Sequence, residues 1–263
     1  FASLVVVACL WAPGLGAADS SNGHATVRLV AGHDASRPAS AQLLGVPFDI
    51  EPGWHIYWKH PGGGGLATEV GWLLPKGLEA GPLRGPMPIA FTRAEGMPGY
   101  GYEGSVVLAS ELRGAAASAP VGAEVSWLAC KEVCVVGRAE LAGELGALPA
   151  DPALSAWSSG LPAPLDASAP VTATTTGGPA QGALGLWLRW SGEPLAVGWF
   201  PEPPPGLVVG EATVKVRGNL TRIDAPVRWQ AGAAKERSLR SLIVTTDARG
   251  TRRGWELVTE LEP

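Results

Sequence analysis

The chain has 263 residues, 46% of them hydrophobic with 11 Trp, and its 20 Lys and Arg stand against 24 Asp and Glu for a net charge of −4. The length allows two modest domains, and the apolar content excludes a disordered chain. The charge offers no basic face for nucleic acid and no polybasic patch for lipid.

The first segment reads as export machinery. Phe1–Leu10 is an apolar run, followed by Trp11, Pro13 and the small residues Gly14, Gly16, Ala17 and Ala18. An apolar stretch and then a small-residue cleavage site near Ala17 or Ala18 fits a secretory signal peptide over residues 1–18. The run falls short of the ~20 residues needed to span a bilayer. With no Met and no basic start before it, the signal is expected to be clipped, and Cys9 would leave with it. Nothing after residue 20 is apolar enough to cross a membrane.

From Ala25 onward short alternating segments predict strands at Ala25–Ala31, Ala41–Ile50, Trp54–Trp58, Thr68–Leu74, Ser105–Leu112, Ala123–Cys130 and Arg138–Leu145. Gly (36) and Pro (24) exceed average usage and supply the turns between them. Pro149–Pro170 is rich in Pro, Ala and Ser and reads as a linker or loosely packed connection. Strands then resume at Leu184–Trp190, Leu195–Phe200, Ala212–Arg217, Pro226–Gln230, Ser241–Thr246 and Trp255–Leu261, with a hairpin around Asp247–Gly250. The expected fold is all-β, two β-sandwiches in series: residues 19–148, a connection over 149–170, and residues 171–263.

Chemistry concentrates at Cys130 and Cys134, the two cysteines left once Cys9 departs. In an exported chain such neighbours can form a disulfide. Closing so short a loop stabilises by only about 2 kcal/mol, against ~4–5 for a loop near a hundred residues. A pair this close suits thiol–disulfide exchange, one sulfur attacking and the other resolving. Lys131 would lower a thiol pKa and Glu132 would raise it. A structural staple and a metal site remain open alternatives.

The metal reading needs further ligands from His55 and His60, or the more remote His24 and His33, and none has finger-like spacing from the cysteines. His55 alternates with apolar neighbours and reads as a solvent-facing strand position, while Trp54, Tyr57 and Trp58 read as core. Gly62–Gly65 leads into Leu66-Ala67-Thr68 rather than a Lys-bearing helix, so it is no phosphate cradle. No Gly-x-Ser-x-Gly elbow and no His-Glu-x-x-His occur. Asn219-Leu220-Thr221 matches a glycosylation sequon relevant only in a eukaryotic secretory route.

Three ordered motifs carry a resemblance. They are Gly53-Trp54-His55-Ile56-Tyr57-Trp58-Lys59-His60-Pro61-Gly62 with Gly65-Leu66 and Trp72, then Tyr100-Gly101-Tyr102-Glu103-Gly104, then Trp127-Leu128-Ala129-Cys130-Lys131-Glu132-Val133-Cys134. Over roughly Val27–Leu148 the chain resembles the periplasmic N-terminal domain of DsbD/ScsB-type protein-disulfide reductases, closer to the ScsB-like branch. The similarity is weaker from Trp199-Phe200-Pro201 onward.

The resemblance implies an immunoglobulin-like sandwich presenting the cysteines at one end. It implies electrons arriving from a membrane-embedded reductase domain, in the same or a separate chain, and leaving to oxidised periplasmic thioredoxin-fold or isomerase proteins. No cofactor is implied. Cys134 would attack the partner and Cys130 would resolve, while Tyr100 and Tyr102 would shield the pair or serve as ordinary strand residues. Val135-Val136-Gly137 stands where many relatives have Ile/Val-Pro, so the loop is expected to be less rigid. Neither membrane spans nor a thioredoxin-like Cys-x-x-Cys follow, implying a fragment of a longer reductase or a free-standing domain. The competing class is an immunoglobulin-like binding module whose disulfide is structural. A third reading is a copper- or zinc-binding domain using Cys130, Cys134 and His55; some relatives are tied to copper tolerance.

Overall fold

The computed structural model describes residues 20–35, 42–92, 97–114, 118–233 and 236–261. The expected signal peptide and Cys9 lie outside the described residues. The strands run in chain order from β1 (Ser20–Asn22), β2 (Ala25–Val27), β3 (Val30–His33) and β4 (Gln42–Ile50) to β5 (His55–Gly62) and β6 (Glu69–Leu73). Next come β7 (Glu79–Ala80), β8 (Ile89–Thr92), β9 (Pro98–Tyr102), β10 (Ser105–Arg113), β11 (Pro120–Cys130) and β12 (Cys134–Glu144). The second half holds β13 (Ala163–Pro164), β14 (Val171–Gly178), β15 (Ala183–Trp190), β16 (Ala196–Glu202) and β17 (Leu207–Val209). It ends with β18 (Thr213–Arg217), β19 (Leu220–Trp229), β20 (Ser238–Thr246) and β21 (Arg252–Glu260).

Among the described residues these strands form four sheets, two for each half of the chain. The first half pairs β1-β2-β4-β10-β7, with β3 on β4, against β12-β11-β5-β9-β8, with β6 on β11. The second half pairs β13-β21-β20-β16 against β14-β15-β19-β17, with β18 on β19. Each half is a β-sandwich. Period-two burial along β12, β15 and β19 turns apolar side chains inward and polar ones to water, as a half-buried strand requires. The predicted hairpin forms at Asp247, whose carboxylate accepts from the Arg249 and Thr251 amides.

Pro149–Pro170 does not behave as a loose connection. Asp151 caps a short helix, α1 (Pro152–Ser155), by accepting from the Ala153 amide. Leu154 and Trp157 then bury against Val30, Leu43 and Ala109 on the outer face of the first sheet. Arg28 holds this strap through Asp151 while also pairing with Asp49, and Asp34 accepts from the Ser158 amide. The composition hid it because two large side chains on a single helical turn and a 3-10 turn show no period.

The sandwiches share core. Phe200, Leu242 and Val244 of the second half belong to the same buried cluster as Trp58, Tyr100 and Tyr102 of the first. The Phe200 ring sits 5.1 Å from Tyr100 and 6.1 Å from Trp58. Around this apolar contact, Lys59 and His60 both reach Glu202, and Arg84 reaches Glu256. Burial alone would raise the Glu202 carboxyl, but hydrogen bonds from His60 and Lys59 outweigh it and hold it below the usual range.

Candidate functional site: a hairpin-tip disulfide under an aromatic cover

β11 and β12 pair along their whole length, ending at Cys130↔Cys134, and the two sulfurs are bonded there. The tip Lys131-Glu132-Val133 is exposed, closed by the Lys131 amide donating to the Val133 carbonyl. The cysteines differ in surroundings because their strands differ in position. β11 is an inner strand, and Cys130 stands opposite His55 of β5, leaving it 3% exposed. β12 ends the sheet order, so Cys134 is exposed.

Alternation sets the partners. In register, Cys130 faces His55, Tyr57 faces Gly101, and Phe91 faces Gly99, so these side chains share the outward face of the sheet. Ile56, Trp58, Tyr100, Tyr102 and Ala129 lie on the core face. The fully buried Tyr57 donates its hydroxyl to Cys130 Sγ at 3.5 Å. Phe91 packs on His55 at 3.8 Å and lies 5.7 Å from Tyr57.

Glycine makes this cover possible. A Cβ at Gly99 would fall 2.2 Å from the Phe91 ring, and one at Gly101 would fall 2.0 Å from the Ile56 carbonyl. Gly65, at φ +104°, crosses the Tyr57 ring, where a Cβ would come within 2.6 Å. The glycine run after Pro61 thus serves close backbone approach.

Tyr100 and Tyr102 are placed away from the sulfurs. Tyr100 packs on Phe200, and Tyr102 donates to the Pro86 carbonyl at 3.1 Å. Burial pushes both hydroxyls up, which keeps them protonated. Phe91, which sequence reasoning did not single out, packs instead on His55 and near Tyr57, the residue that donates to Cys130. The signal for Phe91 was an aromatic near a strand that carries the alternating glycines Gly99 and Gly101. His55, expected to face solvent, is half-buried between rings. His60 goes to Glu202, and His24 stacks on Trp54 and pairs with Glu51. Among the described residues no three His, Cys, Asp or Glu side chains group to hold a metal ion. Lys131 lies back beside Gly53. Val133 and Val136 flank Cys134 as exposed apolar residues, with Leu66 exposed beyond the glycine run.

No helix among the described residues is long and apolar enough to cross a membrane. No curated protein sequence matches the chain. The chain is similar to the N-terminal periplasmic domain of ScsB from Proteus mirabilis, with 22% identity, 94% of this chain and 98% of that one covered, and a TM-score of 0.68. That likeness shows the fold. A further match, to a structure holding manganese lipoxygenase of Gaeumannomyces graminis and part of zonadhesin of Komagataella pastoris, has 7% identity, coverage of 89% of this chain and 93% of that one, and a TM-score of 0.21. It carries no argument. Residues 26–145, the segment that holds the close cysteine pair, match the family described as thiol:disulfide interchange protein DsbD, N-terminal.

Proposed function

We propose that the chain is the thiol–disulfide exchange part of a periplasmic disulfide reductase, carrying electrons from a membrane-embedded reductase domain to oxidised periplasmic proteins. The observation that supports it is the asymmetry of the pair: Cys134 is open to a partner and Cys130 is buried beneath Tyr57.

On loading, a donor thiolate attacks Cys134 Sγ, the bond to Cys130 breaks, and Cys130 leaves as a thiolate. The Tyr57 hydroxyl, already donating to that sulfur, stabilises the charge. The donor's second thiol then displaces Cys134, so the donor is oxidised as this pair is reduced. On delivery, the Cys134 thiolate attacks the partner's disulfide, and one partner sulfur leaves and takes a proton. Cys130 then attacks Cys134 Sγ, the Cys130–Cys134 bond re-forms, and the partner departs as a dithiol. Two electrons move at each stage. Phe91 over His55 and Tyr57 shields the buried side of the pair from small oxidants.

A staple has little to add here, because the backbone ladder of β11 and β12 already ties both cysteines together. The reduction potential decides. A value in the exchange-protein range, with the fold intact when reduced, supports the relay. A value below about −300 mV, or unfolding on reduction, makes the chain a binding module with a structural bond. Cys130→Ser is expected to trap a mixed disulfide with an oxidised thioredoxin-fold protein, and Cys134→Ser is expected to trap none.

A further inference from the structure

Phe91 reaches His55 and Tyr57 from β8, which among the described residues ends its sheet order and pairs there with β9. Such an edge strand needs something else to hold it in place. The segment leading into it is Gly85-Pro86-Met87-Pro88. Pro86 and Pro88 have no N–H, so each can hydrogen-bond through its backbone only by its carbonyl. Three successive carbonyls are engaged. Pro86 O accepts from the Tyr102 hydroxyl, and Met87 O and Pro88 O both accept from the Arg252 guanidinium.

Arg252 comes from the other sandwich, as the first residue of β21. Two residues on, Gly254 lies so close to Met87 that a Cβ there would fall 2.8 Å from Met87 Cγ. Among the described residues no carboxylate pairs with Arg252, so its donors are directed at the two carbonyls. A planar guanidinium can serve two neighbouring acceptors at once, and a lysine ammonium is poorly shaped to do so.

We propose that Arg252 is a positioning residue for the cysteine site: by gripping the Met87 and Pro88 carbonyls it sets where Phe91 lies over His55 and Tyr57, so the second sandwich governs access to the Cys130–Cys134 bond. The inference rests on Phe91 being the cover. It gives the second sandwich, which carries no cysteine, a role in the chemistry of the first.

The test is the rate at which dithiothreitol reduces the disulfide in the full oxidised chain, measured beside thermal unfolding. Arg252→Gln is expected to speed reduction roughly three- to tenfold, with Arg252→Lys recovering part of the wild-type rate. Phe91→Ala is expected to speed it at least as much, and the double variant no further, because both act through one ring. Arg84→Met removes bonds to Glu256 and the Pro162 carbonyl across the same interface, and should lower the melting temperature while leaving the rate unchanged. Wild-type kinetics in Arg252→Gln, an equal acceleration in Arg84→Met, or additive effects in the double variant would each overturn the proposal. An unaltered rate in Phe91→Ala would overturn it too. Dithiothreitol reads access to the bond whether the pair relays electrons or staples the hairpin, so this outcome stands apart from the reduction-potential test.

Discussion

The two faces of the sheet formed by β11, β5, β9 and β8 are built from alternate residues of the same strands, yet they do opposite work. On the core face, Ile56, Trp58, Tyr100 and Tyr102 pack into a cluster that continues through Phe200 into the second sandwich. On the outward face, Cys130, Tyr57 and Phe91 form a small second layer, with glycine wherever a ring must cross backbone. Tyr57 and Tyr102 show the contrast best. Both are buried tyrosines near a strand pairing, but one hydroxyl donates to a sulfur and the other to a carbonyl. Residue type does not decide between a structural tyrosine and one at the site; strand parity does.

Breaking the core face should have the largest effect on stability. Phe200→Ala removes a ring packed on Trp58 and Tyr100, and should cost about 3–5 kcal/mol by urea unfolding. On the outward face Gly65→Ala faces both a positive φ and the Tyr57 ring, and should cost about 2 kcal/mol. It should also speed dithiothreitol reduction by displacing Tyr57; a stable variant with wild-type kinetics would show that the two are not coupled.

A sharper comparison comes from the two hydroxyls. Tyr102→Phe and Tyr57→Phe should each cost about 1 kcal/mol. Only Tyr57→Phe should raise the pKa of the reduced Cys130 thiol, read as slower alkylation near neutral pH in a Cys134→Ser background. Equal alkylation in both variants would remove Tyr57 from the chemistry.

The smallest effect is at the boundary between the sandwiches. The Glu202 carboxyl is held below its ordinary value, so its contribution is complete above the usual carboxylate range and is lost as pH falls through the depressed value. Partial exposure limits this to under about 1 kcal/mol. Glu202→Gln should flatten that part of the stability–pH curve, which chemical denaturation at a series of pH values would register.

Much of this was legible in the chain. The cysteine pair stood out by spacing, and clean alternation marked the strands that became β10, β15 and the ends of β11 and β12. β8 and β9 were not among the expected strands: β8 is four residues long, and β9 carries Gly99 and Gly101, which a strand can hold where a ring needs the space. Those two strands bear Phe91 and the glycines beneath its ring, so that ring was missed with them. The tyrosines of Tyr100-Gly101-Tyr102 drew attention as conspicuous aromatics near the motif, and parity turned them inward.

By itself the sequence determined the strand-and-turn character of the chain and the presence of one close cysteine pair, since hydrophobic alternation, turn residues and sequence spacing are local properties. Only the tertiary structure decided which cysteine is exposed, which aromatic hydroxyl meets the buried sulfur, and that an arginine more than a hundred residues from Phe91 grips the segment leading to it. Those facts depend on strand order, register and the docking of two sandwiches, which are set by long-range pairing between residues that a reading along the chain keeps apart.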